Sequence, residues 1–266
     1  MSDSRVLPVA GSPWLRVRID HRFAHGLAHE FASFHLNVSF TASATRTVVF
    51  GPSGSGKSSL LRAVAGLLEP DAGKIELHGQ TAWERHANGQ SEVFIPPEKR
   101  RVGLVMQSPA IFPHLTVARN IAFALRGMEK SAQRERIFQL LGTVGAEALA
   151  DRWPRELSGG QQQRVAIART LAAEPGVLLM DEPFAALDAK SRQVLSEKVQ
   201  GWARERSVPV LAVTHNLEEA FAAGDEVLVI DEGRITAQGT PDVVLSEERE
   251  RLLLAMGAAA GVQPET

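Results

Sequence analysis

The sequence predicts an α/β fold: a mixed, mostly parallel sheet covered by helices, with an N-terminal antiparallel β region and a helical insert. Three observations carry this. Apolar runs at 177–180 and 208–213 read as strands buried on both faces, and a β-branched run at 47–49 reads as a further strand, with helical patterns between them. Near the start, Leu15, Val17 and Ile19 alternate with polar residues, and so do Phe34, Leu36, Val38 and Phe40, giving two half-buried strands paired as a hairpin. Residues 108–157, opened by Pro109 and Pro113, hold amphipathic segments and no convincing strand.

In chain order, residues 1–13 are a loose polar lead-in, and the first two strands follow at 14–20 and 34–40. A β-branched run ending at Phe50 passes directly into a Gly-rich loop. Leu60, Leu61, Val64, Leu67 and Leu68 then recur at helical spacing until Pro70 and Gly73 stop them. After the helical insert, a helix runs from Gly159 to about Ala173, closed by Glu174-Pro175-Gly176, and leads into the strand at 177–180. The strand at 208–213 precedes Thr214-His215. Segments 226–230 and 234–237 form a strand pair on the Asp231-Glu232-Gly233 turn, and a short helix after Pro241 leads into a charged tail.

Composition narrows the function classes. The chain has 266 residues, 44% hydrophobic and 23% charged, the balance of a globular protein rather than a disordered, collagenous or coiled-coil one. A net charge of -2 gives no electrostatic footprint for nucleic acid, so no nucleic-acid partner is expected. With no cysteine, thiolate catalysis, disulfides and Cys-ligated metals are absent. No leader pattern opens the sequence, and no apolar stretch approaches the roughly 20 residues a spanning helix needs. Asn37-Val38-Ser39 matches a glycosylation pattern by chance.

The chemistry concentrates in three segments. Gly51-Pro52-Ser53-Gly54-Ser55-Gly56-Lys57-Ser58, followed by Ser59, fits GxxxxGK[ST] between a strand and a helix. Its glycines let successive amides converge on phosphate oxygens, Lys57 neutralises the β- and γ-phosphates, and the Ser58 hydroxyl is placed for Mg²⁺. At the end of the buried strand 177–180, Asp181 is a second Mg²⁺ ligand, and Glu182 is placed to polarise an attacking water. Ser158-Gly159-Gly160-Gln161 opens a helix and offers a second set of free amides with a positive dipole end, or else a plain Ser158 N-cap.

With Leu157, that last segment reads LSGGQ, and here the chain resembles the nucleotide-binding subunit of the ATP-binding cassette (ABC) family. The resemblance spans about 14–238. It implies a P-loop NTPase core over 14–240 with a helical subdomain at about 108–157, leaving 241–266 as helix and tail. It implies ATP as substrate, Mg²⁺ as cofactor and an ATP-dependent, head-to-tail homodimer. Each nucleotide would lie between 51–59 of one copy and Ser158, Gly159, Gly160 and Gln161 of the other. Gln107 matches the family's Q-loop glutamine, with Met106 where an aromatic is usual. Residues 186–188 resemble the D-loop, and His215 the H-loop histidine, with Asn216 in place of the commoner Asp. Since the chain has no Tyr, the adenine-stacking ring falls to Phe23, with Phe31 and Phe34 as alternatives. His21, His25 and His29 stand at i, i+4, i+8, a chelating pattern on a helix, although the resemblance places them in a strand–turn region.

Among cassette ATPases, the absence of a tandem cassette, a coiled-coil interruption and membrane spans points to an importer subunit. It would sit peripherally on the cytoplasmic face of the cell (inner) membrane and dock on transmembrane permease subunits in a system with a solute-binding protein. Segments 95–103 and 108–117 look most like the molybdate-type oxyanion importers, with sulfate, polyamine and iron importers, or a soluble non-transport cassette, as alternatives. Lys99-Arg100-Arg101 reads equally as a solvated loop. Because the chain stops soon after Gln238, no β-rich C-terminal regulatory domain is expected.

Overall fold

The computed structural model describes residues 12–23, 34–86, 88 and 91–246. Strand β1 (Leu15–Arg22) pairs antiparallel with β2 (His35–Ala42), Val17 opposite Phe40 and Ile19 opposite Val38. Strand β3 (Arg46–Phe50) runs into the Gly-rich loop and α1 (Lys57–Ala65), which buries Leu60, Leu61 and Val64 completely. At about 2 kcal/mol per aliphatic side chain, that face is enough to seat so short a helix.

Three strands follow that the hydrophobic pattern does not announce: β4 (Ala72–Leu77), β5 (Gln80–Arg85) and β6 (Ser91–Phe94). They complete a five-stranded antiparallel sheet in the order β2-β1-β4-β5-β6. Register shifts at Ile75/Glu76 and Glu84/Arg85 break the two-residue period, and so hide them from a periodicity reading.

After β7 (Val102–Val105), residues 108–157 contain no strand. They hold α2 (Val117–Ala122), α3 (Lys130–Val144) and 3-10 turns at Phe123–Leu125, Glu147–Leu149 and Pro154–Glu156. Fully buried Asn120 organises the entry, accepting from the Phe112 amide and donating to the Phe112, Leu115 and Thr116 carbonyls. Then come α4 (Gly159–Ala172), β8 (Val177–Asp181), α5 (Ala189–Glu205), β9 (Val210–Thr214), α6 (Leu217–Ala223), β10 (Glu226–Asp231), β11 (Arg234–Gly239) and α7 (Pro241–Val244).

The second sheet has six strands in the order β11-β10-β3-β9-β8-β7, parallel except for the β10–β11 pair. Strand β8 shows why such runs are continuously apolar. Leu178 and Met180 enter a core shared with α2 to α5, while Val177 and Leu179 enter a second core beneath α1 and the antiparallel sheet. Among the described residues, no helix is long and apolar enough to cross a membrane.

The solvated reading of Lys99-Arg100-Arg101 fails at its middle residue. Lys99 and Arg101 are exposed, but Arg100 is buried and donates to the carbonyls of Ala63, Val64 and Ile95. Its cation thus meets last-turn carbonyls at the negative end of α1. Gly66, at φ 83°, gives it room: a Cβ there would lie 2.7 Å from the guanidinium.

Candidate functional site

Four adjacent parallel strands end on one edge of the six-stranded sheet, and each delivers a singled-out residue there. Strand β3 leads into Gly51, β9 into His215, β8 into Asp181 and Glu182, and β7 into Gln107. The carboxyl edge of parallel strands is where α/β folds collect ligands, because loops and helix N-termini converge there.

The Gly-rich loop is held from behind. A Cβ on Gly51 would lie 2.1 Å from the Ile230 carbonyl oxygen, so only glycine fits against β10. Gly56 has φ 100° and opens α1 as its N-cap. From the β10–β11 turn, the Gly233 amide donates to the Ser55 carbonyl at 3.2 Å, and the Asn37 amide donates to the Gly233 carbonyl at 2.8 Å. One turn thereby joins the loop to the antiparallel sheet. Gly54, at φ 84°, has nothing within 4 Å of a Cβ position and faces open space. Pro52, Ser53, Gly54 and Ser55 line a cavity of about 810 Å³ together with Phe34.

Lys57 is buried and donates to the carbonyls of Gly51 and Pro52 at 2.8 and 2.7 Å. Burial pushes its ammonium below the usual lysine range, opposed by the nearby charges of Glu182 and Asp181. Ser58, one residue on, donates its hydroxyl to Asp181 Oδ1 at 2.9 Å. The Asp181 carboxyl is raised above the ordinary range, chiefly by burial, with the Ser58 hydrogen bond acting against the shift. Ser58 and Asp181 are hard oxygen donors side by side, the ligand type magnesium takes. Among the described residues no group of three or more His, Cys, Asp or Glu side chains could hold a metal ion. The pair therefore fits an ion completed by phosphate oxygens rather than one held by the protein alone.

Glu182 is gripped from both sides. Its Oε2 accepts from Gln107 Nε2 at 3.1 Å, and its Oε1 lies 2.8 Å from His215 Nδ1. With the carboxylate ionised, His215 donates from Nδ1, and each Glu182 oxygen retains a lone pair for a further donor such as water. Glu182 also has a left-handed backbone, φ 43°, with its amide bonded to the Val213 carbonyl at 3.1 Å. Such a conformation costs a non-glycine residue about 1 kcal/mol or more, and here it turns the side chain out at the strand end.

The Ser158 segment lies elsewhere on the chain. Ser158 is the N-cap of α4: Oγ accepts from the Gln161 amide at 3.3 Å, and Gln161 Oε1 accepts from the Ser158 amide at 3.0 Å. The plain capping reading is therefore correct as local structure. Ser158 and Gly159 are exposed, and Gly159 has nothing within 4 Å of a Cβ position. Gly160 instead rests on the 186–188 loop, where a Cβ would lie 2.7 Å from Leu187 Cδ2. Asp188 caps α5 through the Ser191 amide. The segment has no contact of its own with the 51–59 loop among the hydrogen bonds of the described residues.

For the aromatic position, Phe23 packs on Phe34 with ring centres 5.7 Å apart, and Phe34 is the ring that touches the loop, 2.9 Å from a Cβ on Gly56. Phe31, His25 and His29 lie outside the described residues, and His21 is in strand β1 rather than on a helix. Two residues at the site escape a sequence reading. Gln163, buried in α4, donates to the Met106 carbonyl at 3.1 Å beside Gln107, and Glu219 accepts from the Thr214 hydroxyl at 2.6 Å beside His215. A buried-face glutamine in an apolar helix stripe was the only signal for the first. Glu219 carried none.

The ABC transporter family model matches residues 35–185, more than half of the chain. The molybdate/tungstate import ATP-binding protein of Archaeoglobus fulgidus is 41% identical over 226 residues, covering 85% of this chain and 87% of that protein. The sulfate/thiosulfate import ATP-binding protein of Chromobacterium violaceum is 41% identical, covering 88% of this chain, and the Fe(3+) ions import ATP-binding protein of Pseudomonas fluorescens is 46% identical, covering 74%. Of those two longer relatives the matched region is 62% and 54%. Among solved structures, a dimeric ATP-binding cassette in a post-hydrolysis state with ADP and Pi superposes with a TM-score of 0.72 at 27% identity, over 85% of this chain and 98% of that one. A Clostridium perfringens cassette from an ABC transporter complex gives 0.74 at 27% identity, over 94% and 99%. The chain belongs to the ABC transporter family and is an ATP-binding cassette of its ATP-hydrolysing kind.

Proposed function

We propose that the chain is the ATP-hydrolysing subunit of a membrane importer, working as a head-to-tail dimer on the cytoplasmic face of the membrane against transmembrane permease subunits. The observation that carries the hydrolytic part is Glu182, held between Gln107 and His215 at a strand end beside the Ser58–Asp181 pair. Amides of 51–56 and the N-terminus of α1 bind the phosphates, and Lys57 exchanges its bonds to the Gly51 and Pro52 carbonyls for phosphate oxygens. Ser58 and Asp181, with Gln107 nearby, hold Mg²⁺, which supplies charge neutralisation on the phosphates when bound. Glu182 orients a water and takes its proton, and His215, anchored to the same carboxylate, faces the terminal phosphate. Phe34, against the loop, is better placed than Phe23 for the adenine ring.

The Ser158–Gln161 segment, exposed at Ser158 and Gly159 and open around Gly159, supports a second copy's nucleotide as its ligand. The transported solute is proposed as molybdate or a related oxyanion, supported by the molybdate/tungstate relative, of which the match covers 87%. Deleting the gene and measuring uptake of molybdate, sulfate and ferric ion tests this. Selective loss of molybdate uptake is expected. Loss confined to sulfate, iron or a polyamine reassigns the solute, and failure to co-purify with permease subunits from membranes contradicts the importer reading.

A further inference from the structure

The site's two least explained polar contacts lie behind it, between α5 and α6. The Thr214 hydroxyl donates to Glu219 Oε2 at 2.6 Å and accepts from the Asn216 amide at 3.0 Å, so Glu219 is tied to the backbone on both sides of His215. Glu219 Oε1 is 3.2 Å from Arg192 Nη1, and Arg192 Nη2 donates to the Leu187 carbonyl at 3.3 Å. Leu187 is the residue against which Gly160 rests. A cavity of about 410 Å³, walled by Val48, Met180, Phe184 and Ala212, lies between the two helices and the sheet, and both members of the ion pair line it. Around that cavity, the bridge is what ties one helix's loop to the other's.

We infer that Arg192 and Glu219 are positioning residues for ATP hydrolysis, linking His215 of the chain's own phosphate-loop site to the 186–188 loop beneath the Ser158–Gln161 segment. A segment pressed by a second copy's nucleotide shifts Leu187. Arg192 and Glu219 carry that displacement to Thr214 and so to the His215–Glu182 pair. The chain's own site then becomes competent when its other segment is occupied. The inference rests on the head-to-tail reading proposed above.

The pair is partly buried, with side-chain exposures of 25% and 16%, so an ion pair alone would contribute little to stability. Its geometry matters more, because displacing a catalytic group by a fraction of an ångström to 1 Å costs up to about a hundredfold in rate. Arg192→Met and Glu219→Gln are each expected to lower kcat about tenfold in the full-length protein, with the ATP dissociation constant within about twofold of the parent. The double variant should fall no further than either single one, as two links of one chain require.

The swap Arg192→Glu with Glu219→Arg separates positioning from mere support. It restores the opposite charges, but a glutamate at 192 cannot donate to the Leu187 carbonyl, so kcat should stay low while the melting temperature stays near the parent's. Recovery of kcat in the swap, or single variants with unchanged kcat, would overturn the inference. ATP-dependent dimerisation in the Glu182→Gln background is measured alongside. If the parent background fails to dimerise, the head-to-tail reading falls and takes the link with it. A normal dimer with unchanged kcat in the Arg192 and Glu219 variants removes the link alone.

Discussion

The phosphate loop of this chain and its proposed second phosphate segment are built in opposite ways. Residues 51–58 are braced from behind by their own protein: the Ile230 carbonyl behind Gly51, the β10–β11 turn at Ser55, and Asp181 against Ser58. Residues 158–161 close on themselves through a capping box at the start of α4, with Ser158 and Gly159 exposed and Gly160 against Leu187. Glycine at 51 is explained by the chain's own backbone. Among the described residues, no atom lies within 4 Å of a Cβ on Gly159. The difference supports the proposed arrangement, in which the first segment holds the chain's own nucleotide and the second completes a site on another copy.

Removing the base breaks the comparison most severely. Glu182→Gln keeps the contacts to Gln107 and His215 in outline but cannot take a proton, and turnover should fall by about 10³-fold while ATP binding persists. Steady-state phosphate release and nucleotide titration read the two separately. Lys57→Ala should weaken ATP binding about a hundredfold, the loss of a charge-assisted bond to phosphate, measured by calorimetric titration.

The glycines sharpen the contrast through stability. Gly51→Ala drives a Cβ into the Ile230 carbonyl at 2.1 Å and should cost about 3 kcal/mol, roughly 6–12 °C of melting temperature. Gly159→Ala meets no atom within 4 Å and has no positive φ, so it should stabilise the monomer by about 0.5 kcal/mol. On the proposed head-to-tail arrangement the added methyl faces the nucleotide of a second copy, so hydrolysis should nevertheless drop. The smallest change in stability is expected of Asp181→Asn. Burial raises the Asp181 pKa, so the folded chain resists its ionisation, and above the ordinary Asp range the charge opposes folding. The amide should therefore raise the melting temperature slightly at pH 7, while turnover loses its response to added Mg²⁺.

Much of this was legible in sequence because local chemistry wrote it there. The continuous apolarity of β8 came from facing two cores, and the Ser158–Gln161 box is a four-residue pattern. What stayed hidden depended on contacts across the chain. Bulges masked β4 to β6, and Arg100 looked solvated because the carbonyls that bury it belong to α1, more than thirty positions earlier. Phe23 was favoured over Phe34 by position along the strand, whereas the fold sets Phe34 against Gly56. The Glu182 clasp was nameable residue by residue only through family resemblance. Its geometry follows from the strand order β9-β8-β7, which no short motif encodes.

The most direct test of the central claim is the solution mass of the Glu182→Gln chain with MgATP, compared with the same chain carrying Ser158→Arg. The account predicts a shift from 28.8 kDa to about twice that value on adding ATP, and no shift with Ser158→Arg, although that variant still binds nucleotide. A mass unmoved by ATP, or a Ser158→Arg chain that dimerises as readily as its parent, would contradict it.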